Sequence, residues 1–160
     1  MAEKDTLIEQ LDLSPHPEGG YYAETYRSET RVQTEDGRKR AAGTAIHYLL
    51  TERECSSWHR VRSDEIWHFY SGEPLKLEII DPEGSHSIHV LSSDLTSEAN
   101  FQRLVPAGCW QRAYSTGEYS LVGCTVSPGF DFEDFEMIES DKLARRFPGL
   151  EDRIKHTPFG

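Results

Sequence analysis

Residues 56–77 read SSWHRVRSDEIWHFYSGEPLKL, and their pattern decides the fold class. From Glu65 the chain alternates, with Glu65, Trp67 and Phe69 on one side and Ile66, His68 and Tyr70 on the other, the period of a strand. Ser71-Gly72-Glu73-Pro74 then supplies turn chemistry, and Leu75 to Ile80 resumes as a second short run rich in β-formers. The same unit recurs outward in both directions. Tyr21–Arg27, Thr44–Leu50, Ser87–Leu91, Phe101–Val105, Trp110–Tyr114 and Tyr119–Val126 are each about strand length. Between them stand Glu35-Asp36-Gly37, Asp81-Pro82-Glu83-Gly84, Pro106-Ala107-Gly108 and Ser115-Thr116-Gly117-Glu118. Connections this short leave no room for the crossover helices of a parallel sheet, so the pattern predicts an all-β, antiparallel sandwich or barrel. At the ends the period lengthens. Leu7, Ile8, Leu11 and Leu13 predict a short N-terminal helix closed by Ser14-Pro15-His16-Pro17, and Asp141–Phe147 a C-terminal helix stopped by Pro148-Gly149 before a final polar stretch.

The chain has 160 residues, 36% hydrophobic and 28% charged, which predicts one domain over residues 1–160. A net charge of −11, with Arg38-Lys39-Arg40 as the densest basic run, speaks against nucleic acid as a partner. No apolar run approaches the ~20 residues that cross a bilayer, so no membrane insertion is expected. Cys55, Cys109 and Cys124 are odd in number, scattered and without CxxC spacing, and the N-terminal stretch is charged rather than signal-like. They read as reduced thiols of a cytoplasmic protein.

Two sets of residues carry a resemblance. His59, Glu65 and Gly72, with six residues between the last two, resemble the first cupin motif, and Pro106-Ala107-Gly108-Cys109-Trp110-Gln111 resembles the second. Over longer stretches, Leu13-Ser14-Pro15-His16-Pro17-Glu18-Gly19-Gly20-Tyr21-Tyr22, Glu24-Thr25-Tyr26-Arg27-Ser28, Ile46-His47-Tyr48-Leu49-Leu50 and Trp58-His59-Arg60-Val61 look like cupin family 5. Its members are similar in shape to keto-deoxysugar epimerases and seed-storage cupins. The resemblance implies an antiparallel double-stranded β-helix, the jelly-roll cupin barrel, and commonly a homodimer. Edge coverage of many short strands points to the same partner, a second copy of the chain.

In the cupin pattern two imidazoles of His-x-His, the Glu and a later His hold a metal. Here Val61 stands in place of the second His and Gln111 in place of the last. Only His59 and Glu65 remain as strong ligands, so no cofactor is expected; a divalent transition metal, if bound, would use His59, Glu65 and Gln111. His68, three residues from Glu65, is expected on the outer face. In the epimerases that the family resembles, a barrel His is the general base and a Tyr the acid, which places His59 in the base role with Glu65 to orient it. Trp67 and Phe69 share the face of Glu65 and suit stacking on a base or sugar ring, and Gln111 and Tyr48 are further candidate ligand contacts. Tyr114 and Tyr119 also lie on expected strands. Glu18-Gly19-Gly20-Tyr21 reads as a turn leading into a strand, with Glu18, Tyr22, Glu24 or Arg27 at a cavity mouth and Arg27 able to pair with an anion.

The residues therefore predict a small-ligand-binding cupin, with metal-independent sugar or nucleotide-sugar epimerase or isomerase chemistry as the leading activity. Two alternatives stay open: a metal-dependent cupin oxygenase or isomerase, and a non-catalytic ligand-binding or storage-like module.

Overall fold

The structure is a computed structural model and describes residues 2–159. After helix α1 (Glu3–Gln10) come strands β1 (Ser14–Pro15), β2 (Tyr21–Arg27), β3 (Arg31–Gln33), β4 (Lys39–Ala41) and β5 (Thr44–Thr51). Then follow β6 (His59–Arg60), β7 (Asp64–Gly72), β8 (Leu75–Ile80) and β9 (His86–Leu91). The remaining strands are β10 (Gln102–Val105), β11 (Trp110–Ser115), β12 (Tyr119–Ser127) and β13 (Glu136–Met137), before helices α2 (Ser140–Arg146) and α3 (Glu151–Lys155). Every strand run expected from the sequence is present within a residue or two of its bounds, and all the pairings between these strands are antiparallel. The short pieces β1, β3, β4, β6 and β13 carry too few residues to show a period, and none was expected.

Two sheets face each other, one in the order β1-β2-β5-β12-β7-β10 and the other β13-β6-β11-β8-β9, as a jelly roll. Between them sits the main core, which includes Tyr48, Leu50, Trp67, Phe69, Leu77, Ile79 and Val122. Strand β7 obeys its alternation: Glu65, Trp67 and Phe69 are buried while Ile66 and Tyr70 are exposed. His68 takes the outer face, where its Nε2 meets Thr125 Oγ1 at 2.9 Å.

Both outer faces are partly covered. Helix α1 lays Leu7 and Ile8 against Leu13 and against Leu49, Tyr119 and Leu121 of the six-stranded sheet. The C-terminal helices lay Leu143, Ala144 and Ile154 on Trp58, just before β6, and on Ile80 and Trp110 of the other sheet. There Arg112 is buried and donates from Nε to Glu78 at 2.6 Å, while its Nη atoms donate to the carbonyls of Arg153, Ile154 and His156. The guanidinium thus satisfies the unpaired carbonyls at the end of α3. The tail corrects the sequence reading: Pro148-Gly149-Leu150 is a single 3-10 turn after which the helix resumes as Glu151–Lys155, because Ile154 has an apolar pocket to fill.

Candidate functional site

A cavity of about 230 Å³ opens at one end of the barrel, between the sheets. Its polar end is built from three elements. The loop between β1 and β2 is pulled tight by His16 N–H donating to Gly20 O at 2.8 Å and Gly19 N–H to His16 O at 3.0 Å. Gly20 has a positive φ of 76°, and a Cβ there would lie 2.7 Å from Leu49 O, so only glycine lets the loop press onto β5. This turn aims Glu18 inward. Strand β6, held between Gln111 of β11 and Met137 of β13, presents His59 from one sheet. Strand β7 presents Glu65 from the other.

His59 Nε2 lies 2.9 Å from Glu18 Oε2, and its Nδ1 lies 2.7 Å from Ser57 O. A carbonyl only accepts, so Nδ1 carries a proton; the carboxylate at the other nitrogen holds a second one, making an imidazolium. Both residues are buried, at 2% and 7% exposure, so the pair is scarcely screened. Burial works against the charge on His59, but the Glu18 carboxylate and its hydrogen bond, with Glu65 adding, raise its pKa to about 9. Burial likewise opposes the charge on Glu18, and His59 reverses this, leaving its pKa below the usual value. Glu65 has no such close partner. Burial pushes its pKa up to about 7, the charge on His59 offsetting part of this and that on Glu18 adding to it.

The rest of the wall is apolar and aromatic. Ile46, Val61 and Val126 face the cavity, and a segment after β12 brings Phe130, Phe132 and Phe135 across the opening. These three rings meet edge to face, with centroids 4.9 to 5.9 Å apart, and Phe135 also lies 5.6 Å from the His59 ring. The segment is fastened from below: Arg40 grips buried Asp134 through Nε at 2.8 Å and Nη2 at 2.9 Å, and Phe130 N–H donates to Thr44 Oγ1.

Of the residues singled out in the sequence, His59, Glu65, Tyr22 and Arg27 line this cavity, Arg27 paired with Glu24 at 2.6 Å where both are partly exposed. Trp67, Phe69, Tyr48 and Gln111 also point between the sheets but lie outside the cavity lining, in the packed core. Gln111 joins Trp67 Nε1 at 2.8 Å to Glu65 Oε1 at 2.7 Å. Tyr48 donates its hydroxyl to Gly19 O, which fixes the loop that carries Glu18. Tyr114 meets Phe159, and Tyr119 packs with the α1 cluster, so neither reaches the site. His16, Phe130, Phe132 and Phe135 were missed. The run Phe130-Asp131-Phe132-Glu133-Asp134-Phe135 carried a readable signal, three aromatics in an acidic stretch with no strand period.

The sequence pattern of the family described as Cupin superfamily (DUF985) matches residues 5–138 of this chain. The chain belongs to the cupin superfamily. Uncharacterized protein YML079W of Saccharomyces cerevisiae is 26% identical over 161 residues, covering 91% of this cupin and 80% of the yeast chain. Among solved structures, a hypothetical protein from Leishmania major superposes with a TM-score of 0.90 at 35% identity, covering 98% of both chains. A protein from Shewanella oneidensis does so at 0.89 and 37%, again over 98% of each. Oxalate decarboxylase from Bacillus subtilis shares the fold, with a TM-score of 0.57 at 14% identity over 91% of this cupin and 36% of that enzyme.

The Bacillus enzyme has Mn(II) centres. The donors of this cupin do not fit one. Both nitrogens of His59 are engaged as donors, both ends of the Gln111 amide are bonded to Glu65 and Trp67, and Val61 offers no lone pair. Among the described residues no three His, Cys, Asp or Glu side chains are placed to share an ion. No helix among them is long and apolar enough to cross a membrane.

Proposed function

We propose that this cupin binds a compact carbonyl compound, such as a keto-sugar or the sugar end of a nucleotide sugar, and moves a proton at the carbon beside the carbonyl as an epimerase or isomerase without a metal. One observation carries the reading: a buried Glu18–His59 ion pair stands beside Glu65, a second buried carboxyl that ionises near neutrality, in one cavity. From sequence His59 is the base, but an imidazolium with both protons committed has no lone pair to accept another. Glu65 takes that part, with a pKa close to the working pH. His59 supplies the positive charge that steadies the enolate formed as the proton leaves. The aromatic wall suits the face of a ring, and at about 230 Å³ the cavity sits below the ~300–1,000 Å³ typical of drug-sized ligands, so any nucleotide portion lies outside, beside Arg27.

The reading is tested by mixing candidate keto-sugars with the protein in deuterated water and following loss of the α-proton signal by NMR. Exchange above the buffer rate is expected with the native chain and is lost in Glu65→Gln. Ligand-dependent thermal stabilisation without exchange from any candidate would leave a non-catalytic binding module instead.

Two further parts of the reading concern context. We propose a homodimer formed through the outer face of the six-stranded sheet, where Ile66, Tyr70 and Leu104 are exposed and Ile66 faces Leu104 in register. We also propose a reducing, cytoplasmic location, supported by Cys55, Cys109 and Cys124 all being free thiols.

A further inference from the structure

The proton transfer proposed above leaves one requirement open, a donor for the carbonyl oxygen as negative charge develops on it. Tyr48 cannot serve, since its hydroxyl proton is given to Gly19 O. His59 holds its two protons against Glu18 and Ser57. Of the other donors that line the cavity, Tyr22, Arg27, Thr44 and His16, Arg27 is paired with Glu24, and His16 is the one packed against Phe135, the ring that also lies on His59.

The tautomer of His16 is set by the backbone. Glu18 N–H donates to His16 Nδ1 at 3.1 Å, so Nδ1 presents a lone pair and cannot carry the proton. In the neutral ring the hydrogen is then on Nε2, and no acceptor among the described residues takes it. The ring is boxed by Tyr22 at 4.5 Å, Tyr48 at 5.7 Å and Phe135 at 5.9 Å, all edge to face, which fixes its plane. The titratable groups around it are Glu18, His59, Tyr22 and Tyr48. Burial keeps a second proton off His16, Glu18 opposes this in part, and the nearby charge of His59 adds to it, so its pKa lies below the ordinary value.

We propose that His16 is a neutral electrophile whose Nε2–H donates to the ligand, and that the ligand class is one presenting a carbonyl oxygen that becomes an enolate. A neutral imidazole suits this task because it stabilises the oxyanion without surrendering its proton to the solvent-poor site. The two histidines divide the work: His59 is a fixed charge and His16 a directed hydrogen bond. The inference rests on the carbonyl reading of the site and adds the atom that would recognise the oxygen.

The test begins without a ligand. Nitrogen-15 NMR of the histidine side chains is expected to show His16 as the Nε2–H tautomer, unchanged from pH 6 to 8. A proton on Nδ1, or titration to the cation within that range, overturns the proposal. The second arm uses para-nitrophenol, whose planar ring and phenolate oxygen mimic an enolate. Binding is expected to weaken about tenfold in His16→Phe, which keeps an aromatic ring but has no donor, and to recover to within about threefold in His16→Gln, whose amide restores one. Equal affinity in the native chain and His16→Phe, or no binding to the native chain, overturns it as well; circular dichroism of each variant reports whether it is folded. Binding that depends on His16 while no keto-sugar exchanges its α-proton would keep the donor assignment and refute the epimerase reading, so the two failures are separable.

Discussion

Replacing Glu18 with Gln removes the only carboxylate in hydrogen-bond contact with His59 and leaves the imidazole buried. In the native chain the folded-state pKa of His59, about 9, lies above its ordinary value of 6.5. A raised pKa contributes stability that is complete below pH 6.5 and is lost as the pH rises through about 9. At ~1.36 kcal/mol per tenfold change in proton affinity, the raised pKa corresponds to about 3 kcal/mol, most of which is present at pH 7. With Glu18 gone, only Glu65 and the Ser57 carbonyl oppose burial at His59, so its pKa falls and the variant loses most of that amount. The figure agrees with the ~3–5 kcal/mol for breaking a buried ion pair, and the pair is counted once rather than once for each partner. Urea unfolding at a series of pH values is the assay. The gap between native and Glu18→Gln should be widest near pH 6 and close by pH 10. It should narrow again in acid, as Glu18 itself protonates below the usual carboxylate range. In the same variant the His59 resonance should titrate well below 9. A gap that is constant from pH 6 to 10, or a His59 that still titrates near 9, would refute the ion-pair account.

Glu65 has the opposite consequence, since its charged form is the one that burial disfavours. Glu65→Gln should match the native chain near pH 4 and become more stable by about 3 kcal/mol at pH 8, the gap opening between pH 4.5 and 7; urea unfolding reads this directly. Exchange activity should follow a bell, rising through about pH 7 as Glu65 ionises and falling through about pH 9 as His59 loses its proton, measured as the α-proton exchange rate against pH. Arg112→Ala leaves the buried Glu78 with His86 as its one remaining partner and uncaps α3, and should cost about 3 kcal/mol in urea unfolding, with early loss of amide protection in residues 140–155. An Ile66→Asp, Leu104→Asp double variant should be monomeric by light scattering while the native chain is a dimer; a native monomer at micromolar concentration would end the dimer proposal.

How much of this was legible beforehand differs from element to element. The strands from β7 to β12 announced themselves as runs rich in β-branched and aromatic residues set between turn signals; alternation is clean in β7, whereas β8, β11 and β12 are buried on both faces. Glu65, Trp67 and Phe69 turned inward as their spacing requires. The two-residue strands β6 and β13 did not show, since they exist only as pairing partners of β11 and of each other. Resemblance pointed to His59 and Glu65, but not to their protonation. That depends on Glu18, 41 positions earlier in the chain, and on burial that no local pattern reports.

The sequence by itself determined the alternation, the turns and the cupin architecture, along with the loss of two metal-ligand positions at Val61 and Gln111. The alternation and the turns follow from residue types and their spacing, which along a strand translates directly into facing; the cupin architecture and the two lost ligand positions follow from resemblance to the cupin motifs. Tertiary structure alone decided that Glu18 meets His59, that Glu65 is hydrogen-bonded to Gln111 rather than to a cation, and that three Phe rings line the same cavity. Such pairings join the β1–β2 loop, both sheets and the segment after β12. Charge and pKa are properties of that assembled, water-poor space rather than of any stretch of chain.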